Sequence, residues 1–156
     1  MEVLYVVFCF FLHFALLFIS VYDIITMRIP NVSVVFLSAL GLLRSAYMVD
    51  GSFFESCAAA LFICVVMLLV KKISSKITGE NGLGGGDVKF ASACGLFFQF
   101  SGVWVFFILT GCFGIIAIGI RNLVKLCFGA RGEKKGKYVP LAPAIAAAFE
   151  FVYFFG

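Results

Sequence analysis

Six apolar runs, separated by short polar segments, fill most of a chain of 156 residues. They run from Val3 to Tyr22, Val32 to Val49, Phe53 to Val70, Val88 to the polar break at Gln99, Val103 to Ile120, and Pro140 to the C-terminus. An α-helix needs about 20 residues to cross a hydrocarbon core of about 30 Å, so six crossings use about 120 residues. Only loops remain. With 63% apolar residues, 13% charged residues and a mean hydropathy of +1.15, the chain reads as an all-α integral membrane protein. A separate periplasmic or cytosolic catalytic domain is excluded, so any chemistry must use helix ends and connecting segments. The expectation is one transmembrane domain over residues 1–156.

The stretch from Val88 to Ile120 decides the number of spans. As one straight helix it would be on the order of 50 Å long, too long for a single crossing. Gln99, Ser101 and Gly102 supply a break, which predicts a short fourth span and a full fifth. With six spans and both termini outside, every Lys and Arg except Arg44 falls on one side. Basic loops are retained on the cytoplasmic side, so that side is cytoplasmic. Five spans would put the most basic segment, 121–138, outside. The first apolar run is too long for a signal-peptide core and lacks a basic leader.

The net charge of +4 is explained by this orientation, and no nucleic-acid partner is called for. The cluster Arg131 to Lys137 is expected to meet anionic lipid headgroups. The six cysteines lie mostly in apolar runs and show no zinc-ribbon spacing, so they read as packing residues, with no metal or cofactor. Arg44 and Glu150 lie at similar depth in their runs and are expected to pair with each other. His13 reads as a hydrogen-bonded packing residue.

Two carboxylates stand out by position. Asp23 ends the first run and Asp87 opens the fourth, both at the expected cytoplasmic boundary. Asp87 follows a segment with five glycines in eight residues, Gly79 to Gly86. A short span reaches across only if this segment dips below the surface, where irregular backbone must line protein or a wet cavity. Its free N–H and C=O groups would then accept an extended peptide by strand addition. A phosphate cradle is disfavoured, because the Gly-Lys-Ser/Thr ending is missing and Asp87 would repel phosphate. At a helix N-terminus the macrodipole favours an ionised Asp87. Two carboxyls sharing one proton can activate water and protonate a leaving amide nitrogen.

At this point the residues resemble a known family. Gly84-Gly85-Gly86-Asp87 matches the G-x-G-D signature of membrane aspartic proteases, and Leu83 to Lys89 followed by an apolar helix resembles type IV prepilin peptidases. Asp23 with Arg28-Ile29-Pro30-Asn31 is similar to the family's other catalytic segment, and Pro140-Leu141-Ala142-Pro143 to its Pro-x-x-Pro opening of the last helix. The three motifs occur in the family's order along the chain. The resemblance implies that Asp23 and Asp87 are the catalytic pair of an endopeptidase that removes the basic leader from prepilin-like substrates at the cytoplasmic face. Gly84, Gly86, Lys89, Pro30 and Asn31 would be supporting or substrate-binding residues, with Asn31 as N-cap of the second helix. It also implies a multi-pass protein of a prokaryotic inner membrane, with pilus assembly machinery as a further partner. The cysteine-paired extension associated with N-methylation is missing, so the short, single-activity peptidases of tight-adherence or Flp-type pili are the nearer match. Alternatives are an archaeal preflagellin-type peptidase, a presenilin-like protease with its Tyr-Asp pair at Tyr22-Asp23, and a small proton- or cation-coupled transporter. A transporter site is expected near the midplane, whereas both aspartates fall near one face.

Overall fold

The computed structural model describes residues 2–47, 53–78, 83–128 and 140–155. Among them the chain forms six α-helices: α1 (Glu2–Thr26), α2 (Asn31–Tyr47), α3 (Phe53–Thr78), α4 (Gly85–Gly95), α5 (Phe100–Phe128) and α6 (Ala142–Phe155). The segment Arg131 to Lys137 lies outside the described residues, as do Gly79 to Gly82.

Three helices, α1, α3 and α5, are long and apolar enough to cross a membrane, while α2 and α6 are shorter apolar helices. At 11 residues, α4 is only about 16 Å long. Two boundaries differ from the sequence reading. Helix α3 continues to Thr78 and α5 to Phe128, so Lys71, Lys72, Lys76 and Arg121 stand on helix ends instead of in loops. The apolar runs stop at these cations, but Lys and Arg are good helix formers, so the backbone ladder does not stop with them.

The short helix is the centre of the bundle. Val88, Phe90, Ala91, Ala93 and Cys94 are all buried, and α4 packs against α2, α3 and α6. Close approach is built from glycine. A Cβ on Gly95 would lie 2.7 Å from the Ala60 Cα of α3, and one on Gly41 of α2 would lie 2.7 Å from the Leu96 Cβ. These contacts also set direction. Lys71 meets Gly85 and Ala60 meets Gly95, so α3 runs against α4, whereas α2 runs alongside it.

At the end of the bundle away from Asp87, aromatic rings fill the core. Phe97 meets Phe149 edge to face at 5.2 Å, and Phe149 stacks on Tyr153 at 5.5 Å. The polar groups in this region pair differently from the expectation. Arg44 donates through Nη1 to the Phe97 carbonyl at 3.0 Å and through Nε to the Tyr153 hydroxyl at 3.2 Å. Its guanidinium lies 4.9 Å from the Tyr153 ring centroid. Glu150 instead faces His13, with Oε1 and Nε2 3.9 Å apart. His13 Nδ1 is 2.8 Å from the Cys9 carbonyl, so that nitrogen carries the hydrogen. The expected Arg44 and Glu150 pair is therefore replaced by two separate sites: the Phe97 carbonyl, freed where α4 ends, captures the guanidinium.

A candidate active site where three helix ends meet

Asp23 lies in the last turn of α1, three residues before the helix ends at Thr26. The helix closes through an N–H donated by Met27 to the Asp23 carbonyl at 2.8 Å. Met27 has φ 54°, the left-handed region. A residue with a Cβ is strained there by about 1–2 kcal/mol, and glycine is the usual occupant. Thr26 steadies the same turn, its hydroxyl donating to the Tyr22 carbonyl at 2.8 Å. The sharp reversal is what returns the chain to the bundle immediately after Asp23.

Ile29, Pro30 and Asn31 hold that return in place. Ile29 packs on Gly86, where a Cβ would come within 3.1 Å of the Ile29 Cβ. The Pro30 carbonyl accepts from the Ser33 N–H at 3.2 Å, so Pro30 is the residue that caps α2. Asn31, expected as the N-cap, is the first helical residue, and its side-chain oxygen accepts from Lys89 Nζ at 3.1 Å. A proline N-cap keeps its carbonyl for the helix and frees the Asn31 side chain for α4. Lys89 is thus tied to the α1–α2 turn and not to Asp87.

Asp87 occupies the first turn of α4. Its Oδ2 accepts from the Gly84 N–H at 3.2 Å, satisfying one of the donors a helix start leaves unpaired. A Cβ on Gly84 would stand 2.9 Å from that same oxygen, so glycine is required for this geometry. Gly84 is extended, with φ −67° and ψ 146°, but Gly85 and Gly86 are already helical. The expectation from the sequence is a glycine segment open for strand addition; among the described residues Gly84 keeps the extended form, while Gly85 and Gly86 form the first turn of α4, where N–H groups have no partner within the helix.

The third helix end comes from α6. The Ala142 N–H, at the first helical position, donates to Asp23 Oδ2 at 3.2 Å. Asp23 is 5% exposed, so this buried carboxyl has one oxygen held by a backbone amide at a positive helix end. In the sequence reading, Pro140 to Pro143 is the Pro-x-x-Pro opening of the last helix. The amide that reaches the acid, Ala142, lies between those two prolines.

Asp23 and Asp87, 64 positions apart in the sequence, line one cavity of about 300 Å³ together with Arg28, Gly84, Gly86 and Lys89. Burial, and then the negative charge of Asp23, push the Asp87 carboxyl up to about 6, against the Gly84 N–H and the Lys71 cation, which pull it down. The helix dipole favours the ionised form of Asp87; desolvation and a second carboxylate act against it and raise its proton affinity. Lys71 was not singled out from the sequence. Its signal is that it begins the basic end of α3, which runs against α4 and delivers its Nζ to 3.5 Å from where a Gly85 Cβ would be. Among the described residues no three His, Cys, Asp or Glu side chains gather as metal ligands.

A model of the type IV leader peptidase family matches residues 10–119, a region that contains both acids and α4. No curated protein and no solved structure matches the chain.

Proposed function

The chain belongs to the type IV leader peptidase family, and from that premise we propose that it is an aspartic endopeptidase whose catalytic pair is Asp23 and Asp87. The observation that carries this reading is that the two acids line a single cavity, each with one oxygen fixed by a backbone N–H, that of Ala142 from α6 for Asp23 and that of the N-cap Gly84 for Asp87. The second oxygen of each carboxyl is left for water and substrate. A charged Asp23 raises the proton affinity of Asp87, which is the condition for two carboxyls to hold one proton between them.

The mechanism follows from that shared proton. The ionised carboxylate takes a proton from water as the oxygen attacks the scissile carbonyl, and the protonated carboxyl donates to the carbonyl oxygen. Collapse of the tetrahedral intermediate breaks the C–N bond, and the amide nitrogen leaves with a proton from the pair. The amides of Ala142 and Gly84 keep both carboxyls oriented throughout, so no reorganisation is needed when the charge moves.

The substrate is a prepilin-like protein, of the Flp-like class on the motif pattern, cut where its basic leader meets its apolar segment. The cavity lies at the cytoplasmic face of an inner membrane: Arg28 and Lys89 line it and Lys71 stands beside it, in keeping with the retention of basic residues on that side. Helices α1 and α6 both lead away from the acids, in keeping with two termini on the opposite side. The test is coexpression with a prepilin carrying a basic leader, comparing wild type with Asp23→Asn and Asp87→Asn. Both variants should reach the membrane and leave the leader uncut. Processing that persists in either variant overturns the assignment of that acid.

A further inference from the structure

Beside the acid cavity lies a second, larger space of about 610 Å³ that the chemistry above does not use. One wall is a face of α2 carrying Asn31, Val35 and Ser38, and the opposite wall is a face of α3 carrying Cys57, Leu61 and Cys64. On each wall the residues fall at helical spacings of three, four and seven, so each presents a single stripe. The floor is α4, with small side chains at Ser92 and Ala93. Because α2 and α3 both pack on α4, the short helix holds them apart and an open trough remains between them. Its rims are apolar and uncovered: Val35 and Leu61 are each 68% exposed.

The trough adjoins the acid cavity. Asn31 and Lys89 line both spaces, and their hydrogen bond marks the join. From there the floor runs from Val88 to Leu96, about 12 Å at the helical rise. That length matches two turns of an incoming helix.

We propose that this trough between α2 and α3 holds the apolar helix of the substrate immediately after the scissile bond. The proposal rests on the peptidase reading, since it assumes a substrate that enters the acid cavity at one end and continues as a membrane-embedded helix. A peptide bond placed between the two acids leaves the downstream chain at the Asn31–Lys89 join, from which the trough leads on as an apolar path. The polar collar at the join suits the boundary between a leader in water and a helix in lipid. The apolar walls bury one face of that helix, and the exposed rims leave its other face to the bilayer.

The antiparallel course of α3 supplies a register. Lys71 is at the acid end of α3, so Cys64 lies about 10 Å into the trough and Cys57 about 10 Å further. The test uses versions of the chain retaining only Cys57, only Cys64 or, as a control on α5, only the exposed Cys112. Each is first required to process a prepilin substrate, and is then combined with Asp87→Asn to hold the substrate uncut. Single cysteines are placed at successive positions of the substrate's apolar segment, and disulfide formation is scored. Cross-linking to Cys57 should peak seven residues further from the scissile bond than cross-linking to Cys64, the separation of the two cysteines, and Cys112 should give no peak. Equal linking to Cys112, absence of the seven-residue offset, or links only between two copies of the enzyme would each overturn the proposal. As an independent measure, Ser38→Trp should raise KM about tenfold with kcat unchanged, while Val105→Trp on α5 changes neither. An unchanged KM for Ser38→Trp would also overturn it. Failure of the peptidase reading is separately visible, because it appears as absence of processing by the unmodified chain.

Discussion

Replacing Gly95 by alanine tests whether the site is held by the packing of α4 on α3. The added Cβ would stand 2.7 Å from the Ala60 Cα, where ordinary contact begins at 3.4–4 Å. Because the atom it meets is backbone, no side chain can swing aside, and α4 must move off α3 by about 1 Å. Overpacking of this kind costs about 1–3 kcal/mol, partly offset by up to about 1 kcal/mol from the better helix propensity of alanine. The net loss of about 1–2 kcal/mol should lower the unfolding midpoint in detergent by several degrees, at about 2–4 °C per kcal/mol for a chain of this size. The effect on catalysis should be larger than the effect on stability. Asp87 is eight residues from Gly95 on the same rigid helix, so it shifts with it, and a displacement of about 1 Å at reacting groups costs about 10²-fold in rate. Gly111→Ala in α5 is the matched control, since nothing lies within 4 Å of its Cβ position; it should stabilise by up to about 1 kcal/mol and leave processing unchanged. Both variants are measured by thermal unfolding of the purified protein and by initial rates of leader cleavage. If Gly95→Ala cleaves at the wild-type rate with an undiminished midpoint, then α4 does not hold the acid through this contact.

With Asp87 pushed up to about 6, single-turnover cleavage should fall as pH rises through that value, because the proton shared by the pair is lost. Asp23, Arg28, Lys71 and Lys89 are the charged groups around it; Lys71→Met removes the one that pulls Asp87 down, so this limb should move up by as much as about one pH unit, and an unmoved limb would refute the role of Lys71. Linkage gives stability the same direction: the fold binds this proton more tightly than the unfolded chain, so the contribution is complete below 3.8 and is lost as pH rises through about 6. Met27→Gly should raise the unfolding midpoint, since it relieves a left-handed φ of 54° worth about 1 kcal/mol; a fall would show that the strain is not there. Ala142→Pro keeps a residue tolerated at the first helical position but deletes the N–H held by Asp23. One hydrogen bond to a charged group is worth about 1.5–3 kcal/mol, so kcat should fall at least tenfold with α-helical content retained, and an unchanged kcat would remove Ala142 from the site.

The apolar helices, their order and the two carboxylates that line one cavity were legible in the sequence because each rests on local signals: long apolar runs, a polar break, and carboxylates placed at run ends. The ends of α3 and α5 were not, because hydropathy reports what a residue faces, whereas helix continuation depends on backbone propensity. Lys89 illustrates a second limit. Two positions from Asp87 in sequence, it points on a helix to a different side, and its partner Asn31 is supplied by another helix. Lys71 and the Ala142 amide escaped notice for the converse reason. They are remote in sequence, a main-chain donor has no residue-type signature, and only the packing directions of α3 and α6 bring them to the acids.

The shortness of α4 ties these observations together. A longer helix at the centre of the bundle would fill the space between α2 and α3 and carry its first turn out past the ends of α1 and α6. Eleven residues cannot reach that far, so the first turn stays inside the bundle, where burial raises Asp87 and where α1 and α6 present a carboxyl and an amide. The same residues, being small on the side toward the trough, leave room for a further helix beside the acids. A longer α4 would therefore lose the half-buried acid and the trough together, which makes the break at Gln99, three residues after Leu96, as much a part of the site as the glycines before Asp87.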